Sequence, residues 1–354
     1  MKRLAVMPSD PIEEYLKGGY SEARLRDYYN PCHFFDEVCL LSPNEKDREE
    51  WLGMKVIHTP VSDLKRRIKD FSIDVVRAYG GNWACRAACE NKLKGVPVVV
   101  SVHDTRMDRL YDAIRDADMV FAMSGVVKDL VLTKFKNRDR VWVLPNRVDF
   151  QVMRPMPGED ISLPFPFKYK ILFVGRLDEV KNLDTLIKAL NFLGPEYGLM
   201  VIGTGDVALY QDMAKNEGVG GQCLFIDRVK NENLARYYSW CDCVCAPSRH
   251  EAFPMVLIEA LACGAVYVTS DIAPLREFIK DKENGLLVRE YENPALLAQS
   301  IQKACEDPAL RACLKAHARK SVECFETSKV DALEADYYQK ILEMKKEGLF
   351  SYGF

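Results

Sequence analysis

The chain reads as an α/β protein of two successive parallel-sheet domains. Three observations carry this reading. Short apolar runs alternate with amphipathic segments along most of the length. A Pro- and Gly-rich stretch at 151–168 interrupts the alternation once, and it then restarts over a second stretch of comparable size. Strands that alternate with helices imply βαβ units and parallel sheets. At 354 residues the chain is long enough for two separate cores.

In the first half, strands are expected at Leu4–Met7, Glu37–Leu41, Lys55–His58, Val75–Ala78, Val96–Val102, Met119–Met123 and Arg140–Leu144. Between them lie segments such as 64–71, where Leu64, Ile68 and Phe71 recur at helical spacing. The segment 151–168 reads as an interdomain linker because proline and glycine break both kinds of element. After it, strands are expected at Lys170–Val174, Leu199–Ile202, Cys223–Ile226, Cys243–Ala246 and Ala265–Thr269. Residues 329–347 lack Gly and Pro, are rich in Ala, Leu, Glu and Lys, and predict a terminal helix. The expected division is 1–160 as an N-terminal Rossmann-like domain, completed by a C-terminal helix in 329–354, and 161–328 as a C-terminal Rossmann-like domain. Two such domains facing a central cleft bind ligands beyond the carboxyl ends of their strands.

Composition excludes several classes. Hydrophobic content of 48%, charged content of 29% and a formal net charge of −3 describe a soluble globular protein, not a nucleic-acid binder. The apolar run near the start is too short for a signal peptide, and no window approaches the roughly 18 apolar residues of a membrane span. The expected location is the cytoplasm, with at most peripheral contact at the inner face of the membrane. The 12 cysteines are unpatterned, as in a reducing compartment. Cys241, Cys243 and Cys245 alternate on one face of an expected strand. Without a C-x-x-C or a histidine partner they read as small apolar filler, not metal ligands.

Three motifs carry chemistry. The first is F-V-G-R-L-D-E-V-K-N-L-D-T at 173–185. Gly175 ends a strand and allows close backbone approach, while Arg176 and Lys181 flank the turn into a helix, a combination suited to an anion. The alternative is a solvated basic pair. The second is E-A-F-P-M-V-L-I-E at 251–259, followed by A-L-A-C-G. Pro254 suits a first helical turn, which puts Glu251 in the preceding loop and Glu259 on the helix. If 251–259 were all helical, the two Cα atoms would lie roughly 12 Å apart. A retaining glycosidase needs its carboxyl groups about 5–5.5 Å apart. The pair therefore reads as two binding points on a long ligand, with capping or ion pairing as the bland reading. The third, Gly203-Thr204-Gly205-Asp206, follows an expected strand but lacks the third glycine of a dinucleotide fingerprint.

In order, G-R-L-x-x-x-K, I-G-T-G, P-S-R-H-E-A-F-P-M-V-L-I-E-A-L-A-C-G and N-G-L-L-V resemble the retaining glycosyltransferases of family four, which have the GT-B architecture. The likeness is strong over roughly 140–305. In the first half V-V-V-S-V-H-D is similar to the family's strand ending in histidine, and L-P-N-R-V-D to its N-G-V-D. The resemblance implies a nucleoside-diphosphate sugar, carrying UDP or GDP, held mainly by the second domain. It implies Arg176 and Lys181 at the diphosphate, Glu259 at the ribose, and Glu251 and His103 at the transferred sugar. Gly175, Gly203, Gly205, Arg228, Val229, Ala252, Phe253, Pro254, Met255 and Val256 would complete the donor site. Gly18 and Gly19 take roughly the place of the family's first glycine loop.

There are departures. Arg147 replaces the usual glycine of N-G-V-D. Ala252 and Pro254 replace glycines, and Pro254 removes a backbone donor.

Arg77, Tyr79, Gly80, Gly81 and Asn82, at the end of an expected strand, and Ser124 are acceptor-site candidates, with a helix N-cap the other role for Ser124. Asp116-Ala117-Asp118 spells a D-x-D metal motif. It ends an expected helix over Met107–Ala117, ahead of the strand Met119–Met123, and reads as a surface helix end, so no metal or other cofactor is expected. The run Lys65-Arg66-Arg67-Ile68-Lys69 reads as the solvent face of an amphipathic helix, with an anionic membrane as the alternative. The expected function is a retaining, metal-independent transfer of a hexose-type sugar to a hydroxyl of a sugar, lipid-linked or small-molecule acceptor. The alternatives are an epimerase or phosphorylase of the same plan, or a non-catalytic sugar-nucleotide-binding subunit.

Overall fold

A computed structural model describes residues 1–18, 20–26, 28–156, 161 and 163–350. The chain forms two compact units, Met1–Arg147 with Ser328–Phe354, and Val148–Thr327. The division falls at Arg147/Val148, ahead of the Pro/Gly-rich stretch, because residues beyond Arg147 are already tied to the second unit. The Val148 amide donates to the Phe325 carbonyl at 2.8 Å, and the Thr327 amide donates to that of Val148 at 3.1 Å. Arg319 donates to the carbonyls of Phe150 (3.1 Å) and Met153 (2.9 Å) and lies over the Phe150 ring.

The first unit contains strands β1 (Arg3–Met7), β2 (Glu37–Ser42), β3 (Arg48–Trp51), β4 (Met54–His58), β5 (Val75–Tyr79), β6 (Val98–Val102), β7 (Met119–Ala122) and β8 (Val141–Val143). They lie in the order β3-β4-β2-β1-β5-β6-β7-β8, parallel throughout except for β3 against β4. Near-continuous apolar strands such as V-V-V-S-V in β6 are buried because helices cover both faces of a parallel sheet. The sequence pattern does not reveal β3: R-E-E-W has no apolar run and forms a polar edge.

The expected helix over Met107–Ala117 is instead two 3₁₀ turns, Met107–Arg109 and Asp112–Asp116. Between them the backbone bonds leave the helical path, with the Tyr111 amide donating to Gly81 and Lys134 taking the Leu110 carbonyl. Asp118 is a buried pin, not a surface helix end. Its carboxylate accepts from the Val98 amide at 2.8 Å and from Lys92 at 2.9 Å.

The second unit contains β9 (Tyr169–Val174), β10 (Tyr197–Ile202), β11 (Cys223–Ile226), β12 (Cys243–Ala246), β13 (Tyr267–Ser270) and β14 (Leu286–Val288), all parallel, in the order β11-β10-β9-β12-β13-β14. This is the order of a nucleotide-binding sheet that reverses direction between β9 and β12. The brief β14 lies inside N-G-L-L-V and is too short to stand out as a strand. Cys243 and Cys245 are buried on β12, and the Cys243 thiol lies 3.8 Å from that of Cys305. Among the described residues no three His, Cys, Asp or Glu side chains are grouped to hold a metal ion, and no helix is long and apolar enough to cross a membrane.

The helix Thr327–Lys346 returns to the first unit. Arg77 on β5 donates to Glu334 (2.8 Å), Tyr338 (2.7 Å) and Ser101 (2.6 Å), all buried. Arg147 forks between Asp331 and Glu334. The arginine that stands in place of a glycine in L-P-N-R-V-D thus clamps the terminal helix to its own unit.

Candidate active site

In the second unit the carboxyl ends of β11, β10, β9 and β12 are contiguous, and the loops that leave them carry the expected donor-site residues. Arg228 and Val229 follow β11, Gly203 and Gly205 follow β10, Gly175, Arg176 and Lys181 follow β9, and Glu251 follows β12. The strand order reverses between β9 and β12, where the two adjacent connections diverge and leave room for a ligand.

The two loops beside β9 are packed backbone to backbone. The Leu177 amide donates to Thr204 at 2.9 Å, the Asp206 amide donates back to Leu177 at 3.3 Å, and Leu177 bridges Gly205. A Cβ on Gly203 would lie 1.8 Å from the Gly175 carbonyl oxygen, and one on Gly205 would lie 2.4 Å from that of Leu177. The glycines of G-T-G are therefore required by the neighbouring loop, whatever else they meet. Gly175 differs, since a Cβ there would find only the Phe173 ring at 3.7 Å and the Lys181 stem at 4.0 Å.

Lys181 and Glu251, 70 residues apart, meet at this switch point: Lys181 Nζ donates to Glu251 Oε1 at 2.6 Å. The two residues expected at the diphosphate and at the sugar are hydrogen-bonded partners. Arg176 stands at the surface, its side chain 74% exposed, and pairs with Asp178 at 3.0 Å. Asp178 also caps the turn by accepting from the Lys181 amide. Asn182 follows in a left-handed conformation (φ 56°), fully buried, and donates to the Pro247 carbonyl at 2.8 Å.

The helix Met255–Ala262 starts just after Pro254, with no side-chain cap on its first turn. Glu251 lies in the loop and Glu259 on the helix, as proline at a helix start dictates. Ala252, Phe253 and Pro254 form the turn and Met255 and Val256 open the helix, with Phe253 packed on Phe278 and Phe325. Glu259 is buried, and its two oxygens accept from Asn231 (2.9 Å) and Tyr238 (3.2 Å). Burial and then the Glu259 charge push the Tyr238 hydroxyl well above its usual value, which keeps it a donor.

The first unit treats its candidates differently. Arg77 is a buried ion-pair member and Tyr79 a core residue, so neither is an accessible acceptor contact. Their strand faces the terminal helix, and partners on that helix are invisible from the local sequence. Ser124 caps Gly125–Leu132 by accepting from the Val127 amide at 3.3 Å. Asn82 precedes the helix Trp83–Glu90, with its buried Oδ1 unpartnered. His103, just after β6, stacks on Tyr79 with ring centroids 6.0 Å apart, and its Nε2 is buried without a partner. Burial and then the Arg77 charge pull its pKa down to about 4. Gly18 is a right-handed C-cap of the helix Ile12–Lys17 (φ −66°), not an open glycine loop, and Gly19 lies outside the described residues.

Sequence reading overlooked Arg249, Asn182 and Asp184, which hold the site loops together, and Asn231 and Tyr238, which orient Glu259. Arg249 and Asn182 stand inside quoted motifs, next to residues chosen for their charge. Their own signal is only that polar residues recur in a stretch that becomes buried or half-buried.

Comparison with known proteins identifies the family and the fold. Residues 161–321 match the family Glycosyl transferases group 1, and residues 50–152 match Glycosyltransferase Family 4. The chain is 30% identical over 225 residues to D-inositol 3-phosphate glycosyltransferase of Xylanimonas cellulosilytica, which covers 60% of this chain and 54% of the relative. It is 33% identical over 227 residues to N-acetylgalactosamine-N,N'-diacetylbacillosaminyl-diphospho-undecaprenol 4-alpha-N-acetylgalactosaminyltransferase of Campylobacter jejuni, covering 62% of this chain and 60% of that one. The chain thus spans little more than half the length of these two relatives. Among solved structures, Anabaena HepE in complex with UDP superposes with a TM-score of 0.79 at 19% identity, covering 96% of this chain and 100% of that one. Sucrose-phosphate synthase of Thermosynechococcus elongatus gives 0.76 at 18%, covering 97% and 100%. The ordered motifs, the two parallel sheets and the two family matches lead to one conclusion: the chain belongs to the group 1, family-four glycosyltransferases, with the two-domain Rossmann-like GT-B fold.

Proposed function

We propose that this protein moves a hexose-type sugar from a nucleoside-diphosphate sugar, UDP- or GDP-linked, to an acceptor hydroxyl in glycan, polysaccharide or glycolipid synthesis, with retention at the anomeric carbon and without a metal ion. The observation that carries the reading is the Lys181–Glu251 contact at the switch point, with Arg176 in the same loop. A cation for a diphosphate and a carboxylate for sugar hydroxyls stand side by side, as a ligand with both features requires. Arg176, Lys181 and the uncapped first turn of Met255–Ala262 supply the positive charge that a leaving diphosphate needs. Glu259, oriented by Asn231 and Tyr238, suits ribose hydroxyls. The acceptor oxygen bonds to the anomeric carbon as the bond from that carbon to the diphosphate oxygen breaks. The hydroxyl proton passes to the departing diphosphate, so no side-chain nucleophile is required.

The UDP in the HepE complex supports UDP as one donor base. The inositol-phosphate relative supports a small polar acceptor, and the undecaprenol-linked relative a lipid-linked one. The proposed location is the cytoplasm, at most peripheral to the inner membrane face, with no nucleic-acid partner. The test is nucleotide release from a panel of UDP-, GDP- and ADP-sugars, with and without acceptors, in EDTA. Turnover with one UDP- or GDP-sugar is expected. Binding of a nucleotide with no turnover of any donor would replace the reading with a binding subunit, and loss in EDTA restored by Mn²⁺ would remove metal independence.

A further inference from the structure

We infer that Arg249 is a positioning residue: it sets the Lys181–Glu251 contact by tying the loop that carries each residue to the other. The inference rests on the donor-site reading above.

The Arg249 side chain spends all three of its nitrogens on this task. Nη1 donates to the Glu179 carbonyl at 2.5 Å and to Asp184 Oδ1 at 3.0 Å, Nη2 donates to Asp184 Oδ2 at 2.9 Å, and Nε donates to Glu292 at 2.8 Å. Its own amide donates to the Val180 carbonyl at 2.8 Å. Glu179 and Asp184 bracket Lys181 in sequence, and Glu251 lies two residues beyond Arg249. One guanidinium therefore grips both sides of the Lys181 turn while its backbone carries Glu251. Such a grip needs a planar fork with several fixed donors, and an ammonium can replace only one arm of it.

The grip is not part of the hydrophobic core. The side chains of Arg249, Asp184 and Glu292 are 26%, 24% and 62% exposed, so loss of the arginine strands no buried charge. Removing it should therefore leave the fold standing while the Lys181 turn drifts from Glu251. That separates a positioning role from a structural one.

The test uses the full chain and the variants Arg249→Ala, Arg249→Lys, Asp184→Asn and Lys181→Met. In the absence of nucleotide, acylation of Lys181 by an amine-reactive ester is measured by peptide mass spectrometry against the exposed Lys215 of the same sample. UDP and GDP affinities and melting temperatures are measured in parallel. In Arg249→Ala, Lys181 is expected to react several-fold faster relative to Lys215, with the melting transition retained. Nucleotide affinity should fall about tenfold, the lower end of what one charged hydrogen bond contributes. Adding Lys181→Met to Arg249→Ala should then cost no more than about twofold further. Arg249→Lys should not rescue, and Asp184→Asn should reproduce part of the effect.

Unchanged Lys181 reactivity, or losses that multiply in the double variant, would overturn the inference. A wild-type chain that binds neither UDP nor GDP would overturn the donor-site reading instead, and Lys181 reactivity would still decide the role of Arg249.

Discussion

Both units contain arginine–carboxylate or lysine–carboxylate clusters beside a central parallel sheet, yet the two clusters are built for opposite ends. In the first unit, Arg77 and Arg147 converge on Glu334, whose side chain is 0% exposed, and so tie the terminal helix to β5 and to the segment after β8. In the second, Lys181 and Glu251 keep side-chain exposures of 22% and 14%, Arg176 stands in solvent, and all three follow strand ends. A buried ion cluster must be saturated by its own protein, because an unpaired charge there is costly. A partly exposed cluster at a strand end can exchange partners for a ligand at little cost. Both pair basic side chains with a glutamate, and burial decides the role.

The largest expected effect tests the buried cluster. Glu334→Gln leaves two arginines facing a neutral amide and should lower stability by about 3–5 kcal/mol, measured by urea unfolding with tryptophan fluorescence. A loss below about 1 kcal/mol would place the cluster among ordinary surface pairs. The cluster also makes a pH prediction. Burial raises the Glu334 pKa, but Arg147 and Arg77 more than offset this and hold it below its usual 4.5. Its stabilisation is therefore complete above 4.5 and lost as pH falls through the lower folded value. Glu334→Gln should flatten that acid limb.

The next effect tests the exposed cluster. Glu251→Ala should lower turnover by about 10²-fold or more while leaving urea unfolding almost unchanged. A near-normal rate would remove Glu251 from the site, and a large stability loss would mean that it behaves like Glu334. The smallest effect concerns His103, whose burial and proximity to Arg77 bring its pKa to about 4. Its imidazole signals should titrate near that value, and the turnover–pH profile should show no His103 limb above about pH 5. Because the neutral form is favoured in the fold, stability should rise with pH between about 4 and the ordinary value of 6.5. A titration near 6.5 would show that the first unit leaves His103 as solvated as the second leaves Arg176.

Much of this was legible locally. Apolar runs marked twelve strands because a sheet buried on both faces needs uninterrupted apolar segments. Proline placed Glu251 before a helix and Glu259 on it, because Pro254 suits a helix start. The ordered motifs pointed to the family because three of them mark loops that leave strands β9, β10 and β12. Local pattern failed where the partner was remote. Arg77 looked like a loop-edge contact because nothing near it shows that Glu334 and Tyr338 cover it. Met107–Ala117 looked helical because apolar spacing does not show that Gly81 and Lys134 take its backbone groups.

By itself, then, the sequence determined the two-domain α/β plan, the family and the identity of the charged residues at the strand ends. Those depend on composition and spacing within a few residues. Only the tertiary structure decided which charges are partners: Lys181 with Glu251 across 70 residues, and Arg147 with Asp331 and Glu334 across 184 and 187. Sheet order makes that choice. It sets β9 beside β12 and packs the last helix on its own unit, and so fixes which side chains share a space and which of them water still reaches.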